Sequence, residues 1–412
     1  MENEIIVGLD IGTTKVCAVV AAVDESGKFN ILGIGKSPSD GLTRGVVTHI
    51  DKTVRSIQTA IAEAESRSGI KIQSVIVGIA GDHIQSFQSR GVIAISSSEN
   101  EITQADVNRL IEDTKRVALP SDRKIIHVIP QEFIIDGQDG VYDPVGMSGV
   151  RLEANVHIIT GLVTAAQNIY KCVQRANLHI RDMVLEPLAS SYAVLDEEEK
   201  EVGIALLDVG GGTTDLAVFE DHTIRHTAVI PIAGNQVTND IRKGLGILTD
   251  QAERLKCQHG FAYVPSVVDD EPLTIPGIGG RPPLEVDKKL LAQIIQPRME
   301  EIFEIAAMEI KRSGYSRHLS AGVVLTGGGS LIKGASELAR DVLGMPVKLG
   351  IPSGFSAGLV REIENPIYAT CVGLVLHGFR NKEAMQLNFN NGKKDGSVKN
   401  IFGKMKSWFD EL

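Results

Sequence analysis

The chain has 412 residues, 43% of them hydrophobic and 23% charged, with a formal net charge of −10. This is globular composition, long enough for two or more domains each with its own core, and it excludes wholesale disorder. The acidic balance argues against a nucleic-acid partner, because phosphate contacts need clustered Lys and Arg. Cys17, Cys172, Cys257 and Cys371 lie far apart with no CxxC pair, which reads as reduced thiols rather than a disulfide frame or a zinc site. The 10 histidines form no HxH or HExxH cluster. The acidic start, MENEIIVGLD, enters an apolar strand at once and does not read as a signal peptide. No apolar run approaches the ~18 residues that suggest a bilayer span. The expectation is a soluble, cytoplasmic, multi-domain chain.

In chain order, Ile5 to Leu9 and Val16 to Val23 are short β-rich runs either side of a Gly-Thr turn, predicted to pair antiparallel. GIGKS (Gly33 to Ser37) imitates the end of a P-loop, but Asn30 replaces the first glycine and Pro38 blocks a following helix. It is predicted as strand and turn. Asp51 to Ser68 spaces Val54, Ile57, Ile61 and Ala64 as one helix face, and Val75 to Ile79 reads as a buried strand. From Asp82 to Thr160 the texture changes. A strand-like Gly91 to Ser96 precedes a helix with Thr103 as N-cap and Asp106 at N3, then strand-like runs follow at Lys124 to Ile135 and Leu152 to Ile159. This stretch reads as an inserted subdomain.

Thr164 to Ala176 is predicted helical, Ile180 to Leu185 a strand, and Pro187 to Leu195 a helix with Pro in its first turn. The acidic run DEEEKE (196–201) is expected to be a solvated loop. Asn235 to His259 reads as helix interrupted by GLGILTD, and Pro265 to Pro283 as loop with brief strands. Val286 to Ser313 is a long amphipathic helix that Pro297 should kink or split. Val323 to Leu325 is a strand, TGGGS a turn, and Lys333 to Leu343 a helix. After Arg380 the chain turns polar, as a flexible linker, and then ends on VKNIFGKMKSWFDEL.

One phrase is written twice. GLDIGTTKVCAVVA, Gly8 to Ala21, returns as LLDVGGGTTDLAVF, Leu206 to Phe219. Each copy is an apolar run, an Asp, a turn holding Gly and two Thr, then a second apolar run. Gly12 in one turn, and Gly210, Gly211 and Gly212 in the other, would let backbone N–H groups approach a phosphate. Thr13, Thr14 and Lys15, or Thr213 and Thr214, add side-chain donors. An Asp just before the turn repels phosphate but can hold the waters of a bridging Mg²⁺. That is the role predicted for Asp10 and Asp208, from opposite sides. A single Gly-Thr hairpin is a common turn; two, one per half, predict a duplicated domain closing on one nucleotide. In VLTGGGSLIKG a strand runs into Gly327, Gly328 and Gly329, which would let an adenine or ribose sit against bare backbone, where the bland alternative is a tight turn. PGIGGRPP has no helix after its glycines and reads as loop.

Together these motifs resemble the actin and sugar-kinase ATPase superfamily. DIGTTK is similar to its first phosphate motif, DVGGGTTD to its second and TGGG to its adenosine motif. EPLASSYAVL (Glu186 to Leu195) and NPIYATCVGLVL (Asn365 to Leu376) resemble its two hinge helices, and all five occur in the family's order. Within that superfamily, VYDPVGMSGVRLEANVHIITG, IPGIGGRPP, QPRMEEIFE and the terminal helix resemble the FtsA family of bacterial cell-division proteins, over essentially the whole chain.

The resemblance implies an α/β fold: an actin/sugar-kinase-like duplicated two-domain ATPase with an inserted 1C subdomain and a C-terminal amphipathic helix. Subdomain 1A would take 1–81, 161–195 and 366–380; 1C, 82–160; 2A, 196–234 and 314–365; and 2B, 235–313. A linker at 381–397 and a membrane-targeting helix at 398–412 would follow. ATP and Mg²⁺ are implied in the cleft, with slow hydrolysis. The implied partners are the C-terminal tail of the tubulin-like protein FtsZ, further copies of the chain in actin-like filaments, later division proteins, and the cytoplasmic face of the cell membrane at the division site.

On the same resemblance Glu186 would face the Mg²⁺ and orient the attacking water, with Asp208 as the second catalytic carboxylate. Without it, Glu186 is a helix-start carboxylate favoured by the helix dipole. Glu253 and Lys256 would bracket adenosine; otherwise they are an ordinary ion pair three residues apart. Arg298 and Glu301 would meet the acidic FtsZ tail, where the bland reading is a solvated helix face.

The terminal stretch argues from its own residues. Val398, Ile401, Phe402, Met405, Trp408, Phe409 and Leu412 fall on one helical face, with Lys399, Lys404 and Lys406 on the rest. A helix of that length reaches only ~22 Å, short of the ~30 Å bilayer core. The predicted helix therefore lies in the interface, with Ile401, Phe402, Met405, Trp408 and Phe409 toward lipid. The alternatives are another actin-like ATPase such as a pilus-assembly homologue, which should lack that helix, or a sugar kinase. A kinase needs a general-base Asp over a substrate hydroxyl, and none can be placed here.

Overall fold

A computed structural model describes residues 5–23, 29–97, 99–277, 279–280, 282–355 and 357–390, with side chains as far as Arg380. The repeated phrase forms the same structure twice. Ile5–Ile11 turns into Lys15–Val23, and Ile204–Val209 turns into Thr214–Glu220, each pair an antiparallel hairpin. In the first, Leu9, Val16, Ala18 and Val20 are buried on one face and Ile6, Cys17, Val19 and Ala21 on the other. Unbroken apolar runs are what strands covered on both faces require.

Each hairpin then grows into a sheet in the same order. Numbered within its own half, the first sheet runs 3-2-1-4-5: Phe29–Pro38, Lys15–Val23, Ile5–Ile11, Ser74–Ile79, His179–Leu185, with Ala357–Gly358 added beside Phe29–Pro38. The second also runs 3-2-1-4-5: Thr223–Ile230, Thr214–Glu220, Ile204–Val209, Gly322–Thr326, Val347–Leu349. In both, strand 4 lies parallel to strand 1. This shared order is the duplication that the repeated phrase predicts.

Two helices, Glu186–Val194 and Ala369–Asn390, cross between the sheets. One core joins Ala189, Ala193, Val372 and Val375 of these helices to Ile6 and Val19 of the first sheet and Leu206 and Ala217 of the second. The crossing is so close that a Cβ on Gly373 would collide with the carbonyl of Ala189.

The halves differ in what they insert. Between strands 3 and 4 the first half has one main helix, Ile50–Ser68. At the same place the second half carries the helices Gly234–Leu245, Thr249–His259 and Lys288–Arg312 and a ribbon of Pro272–Ile275 with Leu284–Asp287. Between strands 4 and 5 the first half inserts a four-stranded sheet ordered Gln85–Ala94, Arg151–Leu162, Arg123–Ile135, Gln138–Val141. Val107 and Leu110 of the helix Gln104–Thr114 pack on it, forming a separate core. That helix starts with Thr103 as N-cap and Asp106 at N3, as expected, and the two form a capping box. The insert also reaches the second half. Gln131 Nε2 donates to the carbonyls of Ile224 (2.9 Å) and Arg225 (3.2 Å), and Ser86 Oγ donates to the carbonyl of Thr227 (3.0 Å).

Several expectations change. DEEEKE is not a solvated loop: Glu197–Val202 is a helix, because Asp196 and Glu199 form a capping box and the acidic first turn suits the helix dipole. Its Lys200 is buried, with the ammonium over the Tyr192 ring. The long helix begins at Lys288, since Val286 belongs to the ribbon, and it continues through Pro297 as one element. The helix after the glycine turn starts at Ala335, behind left-handed Gly334. The last helix continues to Asn390, into the stretch expected as linker. Among the described residues no helix is long and apolar enough to cross a membrane. The expected terminal helix, with Ile401, Phe402, Met405, Trp408 and Phe409, lies outside the described residues.

Candidate functional site

The two hairpin turns meet beside a cavity of about 310 Å³ lined by both halves. The turns have the same internal bond: Gly12 N–H donates to the Lys15 carbonyl at 3.0 Å, and Gly210 N–H to the Thr213 carbonyl at 2.9 Å. Their tips interdigitate. A Cβ on Gly211 would overlap Thr14, and one on Gly212 would overlap Thr13, so bare backbone on one side accommodates hydroxyls on the other. Thr13 Oγ1 accepts a bond from Gly45 N–H (3.1 Å). The helix Gly234–Leu245 is anchored to the second turn: Gly234 and Asn235 N–H donate to the carbonyls of Gly210 (3.1 Å) and Gly211 (2.8 Å).

Of the expected phosphate donors, the structure brings Gly12, Thr13, Thr14, Lys15, Gly210, Gly211, Gly212 and Thr213 to the cavity. Thr214 is not among them. It is fully buried, and its hydroxyl donates to the Ile232 carbonyl at 2.8 Å, because strand alternation turns it away from the cleft. Lys15 lines the cavity, but its ammonium is 3.3 Å from Asp10 and bonds the Ile367 carbonyl. Burial opposes that charge, while Asp10 overrides it and raises the lysine pKa.

Four carboxyl groups converge here: Asp10, Glu186, Asp208 and Asp215. Burial raises Asp208 to about 6, against the hydrogen bonds donated by Ser190 and Thr370. Burial and the nearby Asp208 push Asp215 to about 8, and its Oδ1 has no partner. Glu186 is raised well above the carboxylate range by burial, then by Asp10, Asp215 and Asp208. Such crowding of like charge can be relieved by protons or by a cation. Among the described residues no three His, Cys, Asp or Glu side chains are arranged to ligate one metal ion.

Sequence reasoning missed Asp215. The signal was present: it closes DVGGGTTD, and in the hairpin register it stands directly opposite Asp208, where the first hairpin pairs Asp10 with Cys17. Ser190 and Thr370 were missed as well, although both stand inside the hinge motifs.

The same cavity is also lined by Gly327, Gly328 and Gly329 and by Glu253 and Lys256. Glu253 and Lys256 are more than a surface pair. Lys256 Nζ is buried, donating to Glu253 Oε2 (2.8 Å), Thr238 Oγ1 (2.9 Å) and the Gly234 carbonyl (3.1 Å). Gly327 has φ +81°, and a Cβ there would collide with Asp208 Oδ1. Arg298 and Glu301 lie outside this cavity, on the long helix. They bond each other, and Arg298 Nε also donates to Asp240 Oδ2 at 2.6 Å, so the arginine expected to be exposed is half-buried and pinned to the neighbouring helix.

Duplicated sheets, opposed hairpins and crossed hinge helices define an actin-like two-domain ATPase fold. Solved structures share it. The PilM–PilN type IV pilus biogenesis complex matches with TM-score 0.68 at 16% identity, covering 90% of this chain and 98% of that one. MreB5 of Spiroplasma citri bound to ADP matches with TM-score 0.56 at 16% identity, covering 95% and 100%. At such identities the likeness concerns the fold alone.

Sequence relatives narrow the class. Cell division protein FtsA of Pseudomonas aeruginosa is 46% identical over 409 residues, 98% of this chain and 97% of that protein. Those of Escherichia coli K12 and Bacillus subtilis 168 are each 40% identical over 92% of this chain, covering 91% and 84% of their own lengths. The family model for cell division protein FtsA matches residues 205–373, and that for the SHS2 domain inserted in FtsA matches residues 81–160. The chain belongs to the FtsA family of cell-division proteins.

Proposed function

We propose that the chain binds ATP with Mg²⁺ in this cleft and, as an actin-like filament, tethers FtsZ to the cytoplasmic face of the membrane at the division site, where later division proteins join. The observation that carries the nucleotide reading is the pair of hairpin turns that meet beside one cavity. The residues fit the ligand. The cavity is lined by both turns, a Cβ at Gly328 would meet only Ile367 Cγ2 within 4 Å, and the orphaned Asp215 Oδ1 and its crowded neighbours call for positive charge. When bound, Mg²⁺ supplies that charge to the carboxylates and to the phosphates.

Asp10 and Asp208 would hold the waters of the cation. Backbone at Gly12 and Gly210–Gly212, with the hydroxyls of Thr13, Thr14 and Thr213, would position phosphate. Gly327–Gly329, Glu253 and Lys256 would take the adenosine. Lys15 neutralises Asp10 at this edge of the cleft. Glu186 would orient the attacking water, its carboxyl raised above the usual range by burial and then by Asp10, Asp215 and Asp208. Family membership supports slow hydrolysis and a switch rather than a metabolic enzyme.

Family membership and the amphipathic pattern of 398–412 support the tether, with Arg298 and Glu301 on the surface that would take the FtsZ tail. Co-flotation of the full chain and FtsZ with anionic vesicles tests it. The intact chain should float and carry FtsZ. A truncation ending at Ser397 should not float, and Arg298→Glu should float without FtsZ. If the truncated chain floats as well as the intact one, the terminal stretch is not the anchor.

A further inference from the structure

We propose that Ser190 and Thr370 are positioning residues that fasten Asp208 to both hinge helices at once, so that one carboxylate links cation binding in the cleft to the angle between the halves. This rests on reading the cleft as an ATP and Mg²⁺ site.

Asp208 ends the first strand of the second hairpin. Its Oδ2 accepts a bond from Ser190 Oγ (2.8 Å), on the first hinge helix, and from Thr370 Oγ1 (3.3 Å), on the second. The two hydroxyls are 3.1 Å from each other, and all three side chains are buried. The neighbouring Ser191 shows what a purely local hydroxyl does in this helix. Its Oγ donates to the Leu188 carbonyl, three residues back. Ser190 instead leaves its helix to reach a carboxylate in another sheet.

The two oxygens of Asp208 face different neighbours. Oδ2 takes the hinge, while Oδ1 is turned toward Gly327 in the cleft. The hinge bonds also lie close to the tightest point of the helix crossing, where Gly373 meets Ala189, the residue before Ser190. A rotation of the hinge helices against each other therefore has to stretch or re-aim these bonds. Asp208 faces Asp10 and Lys15 from the first hairpin, Asp215 from the paired strand and Glu186 from the start of the first hinge helix.

The test is calorimetric titration of ATP into the full chain at neutral pH, with Mg²⁺ and with EDTA, for wild type, Ser190→Ala, Thr370→Val and Thr370→Ser. The quantity read is the ratio of affinities with and without Mg²⁺. That ratio should fall about tenfold in Ser190→Ala and Thr370→Val, each of which releases Asp208 from one hinge helix. Thr370→Ser, which keeps the hydroxyl, should retain the wild-type ratio. An unmoved ratio in both deletions, or an equal loss of affinity in EDTA, overturns the proposal.

Amide hydrogen exchange of the nucleotide-free chain separates this proposal from the nucleotide reading. Both hinge helices should exchange about fivefold faster in Ser190→Ala and Thr370→Val than in Thr370→Ser. If wild type binds no ATP but exchange responds in this way, the nucleotide reading fails and the fastening stands. If exchange is unchanged in the deletions, the fastening fails.

Discussion

Replacing Gly328 with leucine should block the proposed adenosine end of the cleft while leaving the chain around it undisturbed. A Cβ at Gly328 meets only Ile367 Cγ2, at 3.8 Å, within 4 Å, and Gly328 is not among the positive-φ glycines. The effect on folding should stay within about 0.5 kcal/mol, as for surface changes away from packed features. Forcing a side chain into space that a ligand fills costs about 1–3 kcal/mol of overpacking, roughly 5- to 150-fold in Kd. Gly327 is the control. At φ +81°, alanine there carries about 1–2 kcal/mol of left-handed strain before its collision with Asp208. Calorimetric titration with Mg²⁺ and ATP, paired with thermal melts, reads both effects. Gly328→Leu should lose affinity with its Tm within about 2 °C of wild type, whereas Gly327→Ala should lose both. Unchanged affinity in Gly328→Leu would refute the placement of adenosine against this turn.

Removing Lys256 as Lys256→Met strips the donor shared by Glu253, Thr238 and the Gly234 carbonyl. It should lower ATP affinity about tenfold and stability by about 1–2 kcal/mol; affinity equal to wild type would move adenosine elsewhere. In the nucleotide-free chain Asp208 should contribute a loss of stability as pH rises from about 4 to about 6, and Asp215 from about 4 to about 8, so the fall above about 6.5 belongs to Asp215. Asp208 and Asp215, raised to about 6 and about 8 against ~4 in the unfolded chain, stabilise the fold fully below ~4 and lose that contribution as pH climbs through their folded values. His127 and His157, lowered to about 4 by burial, work the other way, their contribution being complete above ~6.5 and lost as pH falls toward 4. Melts across this range check both slopes, and Asp215→Asn should flatten the alkaline one.

The hairpins were legible because strands covered on both faces write unbroken apolar runs, and Gly and Thr between them leave few turns to choose from. The matching sheet order followed from the repeat, although nothing local in the sequence states which strands pair in parallel. Thr214 could be excluded only with the register in hand, since a one-residue step on a strand turns a hydroxyl from the cleft to the core. DEEEKE misled because its charges suggest solvent, while the spacing of Asp196 and Glu199 is a helix start whose one lysine has aromatic rings to lie on. Ser190 and Thr370 were invisible for a different reason. Their role comes from three segments meeting in space, and no spacing along the chain encodes that.

The inserted four-stranded sheet gives the second half a support beyond the hinge helices. Besides the pair of hinge helices, Gln131 and Ser86 grip the backbone of Thr223–Ile230, and His157 Nε2 lies 3.1 Å from Thr227 Oγ1. Rocking of the halves about the hinge helices would have to move these bonds, which run from side chains to carbonyl oxygens and one hydroxyl. Opening and closing of the cleft would thus appear as shear beneath the insert, and a protein seated on the insert could feel that shear without ever touching the cleft.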